Sequence, residues 1–146
     1  MKLTILFALL ILAFGCGPAA NNNKPDTEAS DELMADILTR SAGNQTTIEI
    51  TFYRDLAEIL DGKINKGFGK NVVAVENPQF NGVEMTPATN LSGQPIYKAE
   101  MANAKASNVV TATLSGKRFE GSTMLETRLV NKMTTVTLAP VEKSGP

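Results

Sequence analysis

The chain has 146 residues, 42% hydrophobic and 20% charged, with a formal net charge of −1. That is enough for one globular domain and scarcely two, and the near-neutral charge excludes broad electrostatic attraction to nucleic acid. Histidine and tryptophan are absent and cysteine occurs once. An intramolecular disulfide is therefore excluded, the commonest general base is missing, and a zinc site would need carboxylates alone.

Met1 and Lys2 give a short positive start, and residues 3–14 are then apolar apart from Thr4. A membrane-spanning helix needs about 20 apolar residues, so this run has instead the length and flank of a secretory signal peptide. Ala13 and Gly15 are the small residues that a signal peptidase accepts before Cys16. The residues also admit two other readings: a plain signal peptide with an incidental cysteine, and an uncleaved N-terminal helix.

The stretch "LAFGC" resembles the signal of a bacterial lipoprotein, in which a small residue directly precedes an obligate cysteine. The resemblance covers residues 1–16 and is carried by Gly15 and Cys16. It implies cleavage before Cys16, a thioether-linked diacylglycerol on its sulfur and an acylated amino group. The protein would then be held in a membrane of the cell envelope through acyl chains on Cys16. Gly17 stands where aspartate signals inner-membrane retention in enteric bacteria, so the resemblance favours the outer membrane.

The division expected along the chain is a signal peptide over 1–15, a lipidated cysteine and tether over 16–27, and one mostly β domain over 28–146. Residues 17–27, "GPAANNNKPDT", carry no large apolar side chain and read as a flexible tether. Leu33, Met34, Ile37 and Leu38 then recur with helical spacing behind Glu28, Asp31 and Glu32, with Ser30 or Thr27 as cap. This predicts an amphipathic helix over 30–41. Ile48, Ile50 and Phe52 alternate with Glu49, Thr51 and Tyr53, which predicts a half-buried strand. Residues 54–61 support two readings. The spacing of Leu56, Ile59 and Leu60 favours a second short helix, while Asp61-Gly62 is a hairpin signal.

From Asn71 onward the chain reads as β, with strands expected over 71–77, 82–86, 95–101, 108–116, 122–130 and 134–142. Turn signals separate them at Asn77-Pro78, Asn81-Gly82, Ser92-Gly93, Ser115-Gly116 and Asn131-Lys132. The fold class expected is mainly β, an antiparallel β-sandwich or small open barrel, with one N-terminal amphipathic helix. Through "LSGKRFEGSTM" and "MTTVTLAPVE" the pattern is generically similar to immunoglobulin-like or carboxypeptidase-regulatory-like sandwiches of bacterial surfaces, a likeness of fold that implies no activity. A weak internal echo links "NVVAVENPQFNGVEM" with "NVVTATLSGKRFEGSTM".

Residues 62–71, "GKINKGFGKN", concentrate lysine and glycine but put Phe68 where a phosphate loop needs lysine. Lys63, Lys66 and Lys70 are candidates for surface contact with lipid headgroups or an acidic polymer, set against the simpler reading of an exposed basic loop. Asp55, Glu58 and Asp61 read as a solvated acidic face rather than a calcium site. Without histidine, a nucleophilic serine would need a lysine partner; Ser115 and Lys117 read instead as the polar tip of a turn. No catalytic residue, cofactor or metal is therefore expected. The function expected is a lipid-anchored envelope protein that acts by binding, assembly or envelope maintenance on an envelope protein or polymer. Two other readings stand beside it: a mobile-element-encoded surface lipoprotein that blocks a receptor, and a hydrolase working without histidine.

Overall fold

On β2 (Leu33–Ala42) the side chains of Leu33, Ala35, Ile37 and Thr39 are buried, and the residues between them are half-exposed. That is the period of a strand, not of a helix. The computed structural model describes residues 27–101, 107–124 and 132–142. The expected signal peptide, Cys16 and the tether up to residue 26 lie outside the described residues, as do the latter part of the strand expected over 122–130 and Asn131. Among the described residues no helix is long and apolar enough to cross a membrane.

The helix expected over 30–41 is thus corrected to a strand. Its apolar pairs misled because both faces of β2 carry apolar residues, and because Ala35 and Thr39 complete the buried row without looking like core. Neighbours on both sides decide the conformation. Ile37 pairs with Ile50 of β3 (Gln45–Leu60) on one side and Thr134 of β11 (Lys132–Pro140) on the other. Such a ladder satisfies the backbone on both edges, and this outweighs a weak local helix preference.

The second short helix is corrected as well. Residues 54–60 continue β3, which runs unbroken from Gln45 to Leu60. Asp61 (φ 52°) and Gly62 (φ 72°) turn the chain into β4 (Lys63–Val72). Positive φ at both central residues matches the twist of a two-residue hairpin, so the competing signal in the sequence is the one that governs. Asn81-Gly82 and Ser115-Gly116 make the same kind of turn. Asn77-Pro78 does not end a strand: it lies within β5 (Glu76–Phe80), where the register against β9 (Ser107–Leu114) shifts.

Among the described residues all strand pairs are antiparallel and form one sheet. Its remaining members are β1 (Thr27–Ala29), β6 (Val83–Glu84), β7 (Thr86–Thr89), β8 (Pro95–Met101) and β10 (Lys117–Met124). The order is β6-β5-β9-β10-β11-β2-β3-β8-β7, with β1 and β4 flanking the far half of β3. The two edges, β6 and β7, are consecutive in the chain and only Met85 separates them. Met85 is buried and its N–H donates to the Pro78 carbonyl at 2.9 Å. The sheet therefore wraps almost into a barrel, which leaves little free edge for unwanted pairing.

The inner face carries one core. Phe52, Phe80 and Phe119 are fully buried in it, with Ile37, Ile48, Ile50, Val110 and Leu138 around them. Each such side chain contributes about 1.5–3 kcal/mol on burial. Tyr97 closes the core at one place: its ring meets Phe52 edge-on with centroids 5.6 Å apart. Its hydroxyl accepts from the Val75 N–H at 2.8 Å and donates to the Val75 carbonyl at 3.0 Å. The internal echo is not a repeated unit. Asn108-Val109-Val110 lies inside β9, whereas Val73 lies beyond the end of β4. Gly82 makes a turn, whereas Gly121 lies inside β10.

Candidate functional site

The outer face of β2, β3 and β11 bears the most organised polar cluster among the described residues. Strand register brings it together: Asp36 lies opposite Thr51 on one side and Thr135 on the other, and Tyr53 lies opposite Val72 of β4. The Asp36 carboxylate accepts three hydrogen bonds. Oδ1 takes those of Thr135 Oγ1 (2.7 Å) and the Tyr53 hydroxyl (3.2 Å), and Oδ2 takes that of Lys70 Nζ (2.7 Å). The Lys70 ammonium also sits 4.5 Å from the centre of the Tyr53 ring, within cation–π range.

These contacts fix protonation. The hydrogen bond to Asp36 raises the Lys70 pKa above its ordinary 10.5. Burial, with the Asp36 charge next, raises that of Tyr53 above 10.0. Lys70 is thus held charged and Tyr53 neutral at neutral pH, so neither is poised as a general base.

Asp36, Tyr53 and Lys70 of the cluster line a hollow of about 340 Å³. Leu38, Val72, Ile96 and Met133 give it apolar walls, and Asn90 and Gln94 of the β7–β8 turn add amide groups at the rim. Glu49 also faces it, and is paired with Lys98 at 3.2 Å and Arg40 at 3.9 Å. Charges are matched throughout, so the hollow offers hydrogen-bonding groups between apolar walls rather than a field of one sign. That chemistry suits recognition of a neutral polar group.

Lys63, Lys66 and Lys70 do not form one basic patch. Lys63 is opposite Leu60 at the β3–β4 tip, while Lys70 is opposite Asp55 at the base of the hairpin and turned to Asp36. Lys66 lies between them, near Asp31, Glu32 and Asp55 around a shallow hollow. Among the described residues no group of three or more Asp, Glu, His or Cys stands close enough to hold a metal ion. Ser115 is a central residue of the β9–β10 turn, and Lys117 opens β10.

Sequence reasoning missed Asp36, Tyr53 and Thr135 as a unit. Placing Asp36 on a helix hid its pairing with β3. Thr135 is 99 residues away, a separation that no local pattern reveals. The outward position of Tyr53 was available from the alternation of β3. Comparison of the chain with protein-family models, with curated proteins and with solved structures finds no match.

Proposed function

We propose that this chain is a lipid-anchored protein of the cell envelope, in the outer membrane rather than the inner, whose β domain acts by binding or assembly rather than by catalysis. The observation that carries this reading is the position of the chain's one cysteine, directly after Gly15 and the apolar run of residues 3–14. A diacylglycerol and an N-acyl chain on Cys16 give stable anchoring, because each buried methylene adds about 0.8 kcal/mol and a single chain holds only marginally. Of the two arrangements the sequence allowed, the domain is read as the small open barrel, its continuous sheet nearly closed between β6 and β7. The hollow over Asp36, Tyr53 and Lys70 is the surface on it best suited to an envelope protein or polymer.

The test is to express the full chain and Cys16→Ser in a bacterium fed an alkyne-tagged fatty acid. The wild type should carry the tag and partition into detergent, and Cys16→Ser should do neither. A wild type that stays untagged and aqueous would overturn the reading.

A further inference from the structure

The far half of β3 leaves the body of the domain. From residue 54 onward it is flanked by β4 on one side and by the short β1 on the other, making a three-stranded arm. None of the buried core residues lies between Tyr53 and Val75. The arm nevertheless carries apolar side chains in the open: Leu60 is 47% exposed, Ile64 64% and Phe68 61%. Three of the four phenylalanines among the described residues are fully buried, and Phe68 is the exception. Ile64, opposite Ile59, and Phe68 share one face of the hairpin, and Leu60, opposite Lys63, is on the other. Single exposed apolar residues are ordinary, but large ones sharing a face of a projecting element mark a contact surface.

The path of the chain says what would meet that surface. β1 is the first described element, and Thr27 pairs with Glu58, two residues short of Leu60. The polypeptide therefore joins the domain beside the tip of the arm. Cys16 precedes Thr27 by eleven residues, which span at most about 38 Å when fully extended. The opposite end of β3, at the β2–β3 turn, is fifteen residues from Leu60, or about 50 Å along the strand. An anchor on Cys16 can thus bring the arm's tip to a bilayer, and the distance to the other end exceeds its reach from Thr27.

We infer that the β3–β4 arm is a membrane-contacting element, which seats Ile64 and Phe68, on one face of the hairpin, in the headgroup and acyl boundary of the bilayer that holds Cys16. This rests on the anchored reading above. Between residues 56 and 68 the charges cancel, Glu58 and Asp61 against Lys63 and Lys66. Apolar insertion, not attraction to anionic lipid, is the driving force, and the lysines serve as stems that keep their ammonium groups at headgroup level. The arm would fix the orientation of the domain, which a lipid on a single residue does not.

The experiment uses the full chain matured in cells, with Phe68→Cys, Ile64→Cys and Asn44→Cys made singly and treated with a thiol-reactive NBD dye. Each is reconstituted into phosphatidylethanolamine–phosphatidylglycerol vesicles, and into phosphatidylcholine vesicles, with and without doxyl-labelled lipid. Asn44, in the exposed β2–β3 turn, is the water-facing reference. Quenching by doxyl lipid should be several-fold greater at positions 64 and 68 than at 44, and similar in both vesicle types. Equal, weak quenching at all three would overturn the proposal. So would a blue shift at 64 and 68 without quenching, which means that a second copy covers the arm. The parent chain without an added cysteine should take no dye, because an acylated Cys16 has no thiol. Labelling of Cys16 would instead overturn the anchored reading, and this inference with it.

Discussion

Two tyrosines show how single side chains are spent in this domain. The Tyr97 hydroxyl serves both backbone groups of Val75 in the core, so removing it strands a buried donor and a buried acceptor. Tyr97→Phe should lower unfolding free energy by about 1–3 kcal/mol in a urea titration, with the slope unchanged. Tyr53 and Lys70 both have pKa values raised in the folded state. The folded protein therefore holds more protons than the unfolded chain once pH exceeds their ordinary values. Their contribution is fully present below about pH 10 and is lost as pH rises through the folded values. Melting temperature measured across pH 8–11.5 should fall above about pH 10. Lys70→Met should shift the curve only slightly near pH 8, because the lysine is more than half exposed and Asp36 keeps its hydrogen bonds from Tyr53 and Thr135.

The strands differ in how openly the sequence declared them. β8 spans the residues its pattern predicted, because Ser92-Gly93 and a regular alternation both point to it. β2 did not declare itself: half of its buried row is Ala35 and Thr39, and its outer row holds Met34 and Leu38, so two apolar rows merged into a helical stripe. The hollow was legible only in fragments, since Asp36, Lys70 and Thr135 meet through pairing across 34 and 99 residues. Close approach between strands was equally invisible. A Cβ on Gly121 of β10 would lie 2.7 Å from the Thr137 carbonyl oxygen and 3.0 Å from a Val136 methyl. Gly121→Ala should therefore destabilise the domain by about 1–3 kcal/mol through overpacking, read as an earlier urea midpoint. The arm is the opposite case. Arg54 pairs with Asn71, so replacing residues 55–70 with Asn-Gly closes the strands in a two-residue turn. That variant should keep a cooperative thermal transition, because no core residue is removed.

At the scale of the domain, a nearly closed sheet around one core leaves the charge-matched hollow and the apolar arm among the surfaces that folding does not use. In the proposed arrangement they have different work: the arm faces the bilayer and the hollow faces a partner. Both depend on where the chain is held, and that depends on Cys16. Mass spectrometry of the N-terminal peptide of the protein purified from membranes tests this most directly. The expected species begins at Cys16 and carries the mass of a thioether-linked diacylglycerol with an N-acyl chain. A peptide that begins at Cys16 with a free thiol, or one that still contains residues 1–15, would contradict it.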